Sequence, residues 1–390
     1  MPMPQSYNSP GVYRQEVFLK APPVLHTGVP GFVGFAGAPP GGSLQINQPV
    51  ALSRKEEFGT TFSGVSGSFL ADAVNGFFDN GGVRCYVVAA DSGVDPVQSL
   101  VNGIAALAPL EDMDLVAVPD AATLQTYSGD PDTDSIARVQ ADMLRHCAQE
   151  GNRFAILDSW PGAAPEVVTN QCQRLVIGQQ EPLNGALYYP WLITSSNPNP
   201  VPPCGHVAGI YGRTDSKTGV FKAPANEEIF GVLDLEIQID NSIQAKLNPA
   251  RVNCLRAFPG RGIRVWGART VGSVPGDLNW LYVNVRRLFL TVRRWIDLNM
   301  GWATFEPNDP RLWVRIQREL TTFLTNLQRD GALQGATPAQ GFFIKCDAEN
   351  NPPEVRDVGN VIVEIGLAPL APSEFIVVRI VRLAGGTPDN

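Results

Sequence analysis

The spacing of apolar positions changes along the chain, and each change marks an element. Phe69, Leu70, Ala73, Val74, Phe77 and Phe78 recur at helical spacing, and Asn80-Gly81-Gly82 ends the stripe. Residues 85–90, 115–118 and 154–157 are short apolar runs, the pattern of parallel strands covered on both faces. Segments 96–107, 134–149 and 166–177 read as helices between them. Helices alternating with such strands predict a three-layer α/β domain. Further on, Leu281, Val285, Leu288, Val292 and Trp295 share one face of a helix over about 281–298. A second helix starts at Asp309-Pro310, a cap followed by a proline at the first helical position. It carries Trp313, Ile316, Leu320, Phe323 and Leu327 on one face and ends at Asp330-Gly331. Strands follow at 341–346 and 360–365. Residues 262–267, Gly-Ile-Arg-Val-Trp-Gly, read as a buried strand edged by glycines.

The two termini alternate with period two instead. Val12, Arg14, Glu16 and Phe18 oppose Tyr13, Gln15, Val17 and Leu19, so the first segment predicts an extended strand. A lone strand cannot satisfy its own backbone and has to pair with something. At the other end, Phe375, Val377, Val381 and Leu383 share a face with Arg379, while Ile376, Val378 and Ile380 share the other with Arg382. Such a strand is apolar on both sides. Periodicity leaves two placements open, an internal strand of its own domain or a strand given to another chain. With the Pro-rich run 197–203 taken as a break, the chain divides into four parts. These are an arm over 1–30, an α/β domain over 31–204, a second domain over 205–372 and a strand arm over 373–390.

Composition narrows the function. A chain of 390 residues holds a sizeable core, and its charged fraction of 17% is low, which suits a surface largely covered by neighbours. A net charge of -8 argues against general nucleic-acid binding. No apolar run approaches the ~18 residues of a membrane span, and the N-terminal residues lack a Sec signal pattern. Cys85, Cys147, Cys172, Cys204, Cys254 and Cys346 are scattered, as reduced buried thiols are, and His26, His146 and His206 show no ligand spacing. Arg213-Thr-Asp-Ser-Lys-Thr218 lacks the glycines of a phosphate loop, and Gly260-Arg-Gly262 leads into a strand, not the helix a dinucleotide site needs. No catalytic, metal or cofactor site is expected. Arg286, Arg287, Arg293 and Arg294 form two adjacent stripes on the helix over 281–298, fit either for a solvated face or for pairing with acids.

Residues 248–270, NPARVNCLRAFPGRGIRVWGART, carry more information than any of these. With Tyr282-Val-Asn-Val-Arg-Arg-Leu288, Phe305-Glu-Pro-Asn-Asp309, Leu312-Trp313, Gly331-Ala-Leu333, Phe343-Ile-Lys-Cys-Asp347 and Ala368-Pro-Leu-Ala-Pro-Ser-Glu-Phe375, they follow one another in a recognisable order. The chain resembles the contractile tail sheath proteins of phages and phage-tail-like injection particles. The likeness spans about 205–383 and is looser before that, where Pro10-Gly-Val-Tyr13 and Phe77-Phe-Asp-Asn-Gly-Gly82 fit.

The resemblance implies an α/β (mixed α+β) fold with a C-terminal sheath domain, extended terminal arms and an inserted three-layer outer domain. It implies a structural subunit, not an enzyme, that polymerises helically around an inner tube and drives it through an envelope. Arm residues Val12, Tyr13, Val17, Phe375, Val377, Val378 and Ile380 would add strands to neighbouring copies, and Arg286, Arg287, Arg293 and Arg294 would touch the tube. The implied partners are further copies, the inner tube, and baseplate and terminator or cap proteins, with no nucleic acid and no membrane insertion. Assembly is expected in the bacterial cytoplasm, within a phage tail, an extracellular injection particle or a bacteriocin. A cap or baseplate-proximal paralogue and an α/β enzyme with an unrecognised site remain as other readings.

Overall fold

The computed structural model describes residues 25–39, 41–124, 134–176, 183–272 and 278–375. The arm positions Val12, Tyr13, Val17, Val377, Val378 and Ile380 lie outside the described residues. In chain order the strands are β1 (Pro30–Gly34), β2 (Val50–Leu52), β3 (Cys85–Ala89), β4 (Leu115–Ala117), β5 (Phe154–Asp158) and β6 (Gly185–Tyr189). They continue with β7 (Leu192–Thr194), β8 (Val232–Leu235), β9 (Val252–Phe258), β10 (Gly262–Trp266), β11 (Phe342–Lys345) and β12 (Glu364–Leu367). The helices are α1 (Glu57–Thr61), α2 (Leu70–Asp79), α3 (Pro96–Ala105), α4 (Ser135–Glu150), α5 (Pro165–Val176) and α6 (Cys204–Lys217). After them come α7 (Asn241–Leu247), α8 (Val283–Asn299), α9 (Pro310–Arg329), α10 (Pro338–Gly341) and α11 (Pro353–Arg356).

Eight strands make one sheet in the order β10-β9-β6-β5-β4-β1-β3-β2. β3, β1, β4, β5, β6 and β9 run parallel, with β2 and β10 antiparallel at the two edges. Because strand side chains alternate, each strand feeds two cores. Phe154 and Ile156 of β5 join the core formed with α2 and α6, while Ala155 and Leu157 join the one formed with α3, α4 and α5. The apolar runs are thus buried on both faces, as the three-layer reading requires. Helix ends follow local chemistry. The Asp134 side chain accepts from Ala137 N at the start of α4, and Asp309 accepts from Arg311 N and Leu312 N at the start of α9.

The expected boundary between residues 204 and 205 is not a boundary. α6, which begins there, packs against α2 so closely that a Cβ at Gly205 would lie 2.2 Å from the Ala73 carbonyl oxygen, and one at Gly209 2.4 Å from that of Phe77. β9 then pairs with β6, and β10 with β9, so the sheet domain runs on to Trp266. The Pro-rich run is a bend inside the domain, tied down where Val201 and Leu192 exchange backbone hydrogen bonds of 2.8 and 2.9 Å. The strand at β10, expected to be buried, is an edge strand in which only Ile263 and Val265 are buried.

The change of domain comes at α8. Val283 and Leu290 enter the α2/α6 core of the sheet domain, while Leu288 and Val292 pack with α9, β11 and β12. Trp295 stacks on Phe323 of α9, ring centroids 4.0 Å apart and planes within 4°. Beyond α8 the second unit is small: α9 over a two-stranded antiparallel sheet of β11 and β12.

Candidate functional site

Three places could carry function: the carboxyl ends of the parallel strands, the junction at α8 and the β11–β12 sheet. The first is where open α/β sheets bind ligands, between strands whose connections leave in opposite directions. Here those strands are β1 and β4, and the crevice is filled from inside. The buried carboxylate of Asp120, just past β4, accepts from Phe35 N (2.6 Å), Ser68 Oγ (2.7 Å) and Phe69 N (2.5 Å). It therefore holds the amino end of α2, where an anion is favoured. Gly34 makes room, since a Cβ there would lie 2.6 Å from Asp120 Oδ2. Burial pushes the Asp120 carboxyl up to about 6 against the pull of its three donors.

Asp158, at the end of β5, does the same for α6 through Cys204 N at 2.8 Å, and burial pushes it up to about 7. The cavity lined by Asp158, Gln140 and Ser159 is about 10 Å³, room for one water at most. All six cysteines are buried and unpaired, and burial pushes the Cys147, Cys172 and Cys254 thiols up to about 12, so none is a ready nucleophile. Among the described residues no group of three or more His, Cys, Asp or Glu could hold a metal ion. No described helix is long and apolar enough to cross a membrane.

At the junction the four α8 arginines are placed, and they do not form the outward pair of stripes expected for a tube contact. Arg287 is buried, giving Asp215 of α6 two hydrogen bonds of 2.9 and 2.6 Å and Asp114 one of 3.0 Å. Its guanidinium also lies over the Tyr211 ring, 4.8 Å from the centroid. Asp114 in turn accepts from Gly28 N and Val29 N, so one carboxylate ties α8 to the start of β1. Burial lifts Asp215 while Arg287 opposes it, and Arg287 itself is held well above its ordinary value by the two acids against burial. An arginine does not give up its proton here, so the cation at the centre of the three groups is permanent.

Arg294, also buried, donates to the His26 carbonyl oxygen at 2.9 Å. Arg286 donates to Asn184 Oδ1 at 2.6 Å and lies over Trp280. Only Arg293 is exposed, with its guanidinium against the left-handed Gly151 that ends α4. Arg287 and Arg294 are corrected to an internal clamp. The seven-residue spacing reflects α8 lying on the sheet domain, with partners distant in sequence that no local pattern shows.

The third place is open. β11 and β12 form a sheet of two strands only, and among the described residues no strand covers either outer edge. Phe343 on β11 is 53% exposed, and Phe375, the last described residue, is 75% exposed. Beside this sheet lies an apolar cleft of about 730 Å³ lined by Met300, Leu312, Ile316, Val361 and Val363, with Phe305 fully exposed at its rim. An isolated two-stranded sheet is marginal in water, and open edges invite further strands.

Comparison with known proteins agrees with this division. Family models match in tandem: the phage tail sheath protein central domain over residues 97–271 and the phage tail sheath C-terminal domain over residues 277–382. The two matches are separated by residues 272–276, shortly before α8. The tail sheath protein of Vibrio phage KVP40 is 27% identical over 184 residues, 46% of this chain and 26% of that protein. The chain thus spans about a quarter of that relative's length. Likeness to solved structures covers nearly all of the chain. A chain of the anti-feeding prophage baseplate superposes with a TM-score of 0.74 at 28% identity, over 97% of this chain and 99% of that one. A chain of the contracted sheath complex of PVC, an extracellular contractile injection system, does so with a TM-score of 0.74 at 26% identity and the same coverage.

Proposed function

Since this chain belongs to the contractile tail sheath family, we propose that it is the structural sheath subunit of a contractile injection particle, stacking helically around an inner tube. The observation that carries this is the match over 97% of the chain to a contracted sheath. The likeness over 97% of the chain to chains of the anti-feeding prophage and of PVC, an extracellular contractile injection system, favours a particle of that type. Subunits repeat head to tail in such a lattice, an arrangement that extends without closing.

Strand exchange supplies the connection. The open edges of β11 and β12 accept strands from other copies, given by the segments around Val12, Tyr13 and Val17 and around Phe375, Val377, Val378 and Ile380. Ladder hydrogen bonds give attachment and alternate side chains give register. Each bond contributes only about 0.5–1.5 kcal/mol, so several act together. Contraction is a change between two packings of the same subunit, driven by energy stored at assembly, with no nucleotide consumed by this chain.

The inner tube, baseplate and terminator proteins are the remaining partners in this reading, with assembly in the bacterial cytoplasm. Of the four α8 arginines, Arg293 alone keeps an exposed side chain for a tube contact. Negative-stain electron microscopy of the purified chain tests the proposal. Long hollow striated cylinders are expected, and deletion of residues 1–20 or 373–390 abolishes them. Small particles alone, at every concentration and salt, would overturn autonomous assembly and point to a cap or baseplate-proximal role.

A further inference from the structure

The last described residues are held by a fixed charged contact. After β12, Ala368 N donates to the Gly341 carbonyl oxygen, Gln334 N donates to that of Ala368, and Leu333 pairs with Pro369. The Leu370 carbonyl oxygen then accepts from Asn284 Nδ2 at 3.0 Å. Four residues on, Glu374 receives Arg269 through both carboxylate oxygens, one of them at 2.9 Å from Nε. The side chains are only 14% and 15% exposed. The next residue, Phe375, is 75% exposed.

Arg269 is itself built in. Its backbone N–H donates to Asn253 Oδ1 and its carbonyl oxygen accepts from Asn253 Nδ2, both at 2.7 Å, and Asn253 on β9 is wholly buried. Arg269 Nη1 also reaches the Asn248 carbonyl oxygen at 2.9 Å, and Arg269 pairs with Tyr282 in a short antiparallel bridge. The arginine is therefore a fixture of the central sheet, and Glu374 is the only acidic residue between 368 and 383. The segment whose alternation predicts a two-sided apolar strand begins directly after it.

We infer that Arg269 and Glu374 form the anchor that sets where, and in which direction, the C-terminal strand departs for a neighbouring copy. This rests on the strand-exchange reading and adds positioning residues to it. A strand held at its root samples fewer directions, so its addition to another sheet costs less ordering entropy. Pulling on the strand loads the pair and, through it, β9. Without the anchor the root swings from Leu370, and the partner has to capture a strand that is attached four residues further back.

The variants are Glu374→Ala and the milder Glu374→Gln, since Arg269 also serves Asn248. Both are expected to keep the melting temperature of the isolated chain within a few degrees, because neither residue belongs to a core. The critical concentration for cylinders, measured by sedimentation and counted by microscopy, is expected to rise about tenfold or more for Glu374→Ala and less for Glu374→Gln, a tenfold change being about 1.4 kcal/mol. Hydrogen exchange across 370–375 is expected to quicken in both monomers. An unchanged critical concentration in Glu374→Ala, with the parent chain assembling normally, would overturn the anchor, as would a melting temperature lowered enough to account for the whole loss of assembly. Failure of the parent chain to form cylinders would remove the sheath reading, and the anchor with it.

Discussion

Replacing Arg287 by Met would remove the centre of the α8 junction while keeping most of its apolar bulk. It would leave Asp215 without its two charged donors, and Asp114 with the amides of Gly28 and Val29 and the more distant Arg294, 3.9 Å away. Both carboxylates stay almost wholly buried. Breaking a buried pair at one partner costs about 3–5 kcal/mol, because the remaining charge keeps its desolvation penalty. For 390 residues unfolding as one unit, an unfolding entropy of about 2.1 cal/mol/K per residue converts that into a drop of about 4–6 °C. A smaller cooperative unit would fall further. Differential scanning calorimetry of the monomer measures it.

The network also predicts non-additivity. Asp215→Asn made on top of Arg287→Met neutralises the orphaned acid, so part of the loss returns, with a coupling of at least about 1 kcal/mol. A shift under about 1 °C for Arg287→Met, or losses that simply add in the double variant, would refute the reasoning. The arginine would then have to be solvated, as an exposed tube contact is.

Three further outcomes follow from other contacts. Gly209→Ala forces a methyl to within 2.4 Å of the Phe77 carbonyl oxygen, so α6 has to move off α2, and thermal unfolding is expected to show a loss of about 1–3 kcal/mol. Asp158 is pushed up to about 7, so between pH 4 and 7 the folded chain keeps a proton that the unfolded chain has lost, and this group's contribution to stability falls as pH rises through that window. His146 and His206, held down at about 4 by burial, act in the opposite sense below about 6.5, so the effect is read as a difference: Asp158→Asn should gain stability over the parent at pH 8 and lose the gain by pH 5. Trp295→Ala removes the stack on Phe323 that joins α8 to α9 and is expected to cost about 3 kcal/mol, with the β11–β12 region opening first in hydrogen exchange.

Much of the fold is legible locally because its signals are local. β3, β4 and β5 announce themselves as apolar runs, α4 and α9 by their capping aspartates, and α2 by its stripe and glycine stop. What fails locally is what tertiary contacts decide. The three glycines 205, 209 and 212 make α6 look like loop, yet two of them let α2 approach. The prolines of 197–203 resemble a linker, while the pairing of β9 with β6 overrides them and carries the domain on to Trp266. The arginine stripes of α8 are visible in the sequence, but Asp215 and Asp114 stand 72 and 173 residues away. The surface role suggested for Arg287 and Arg294 therefore gives way to a clamp. The Arg269–Glu374 contact joins two motifs 105 residues apart that the sequence showed only as separate pieces.

The most direct test of strand exchange is a helical reconstruction of the assembled cylinders at a resolution that separates strands. The account predicts that β11 and β12 there lie in a sheet of more than two strands, the added ones traced to residues around 12–17 and 375–380 of other copies. A sheet still of two strands, with each chain's termini folded onto its own body, would contradict it.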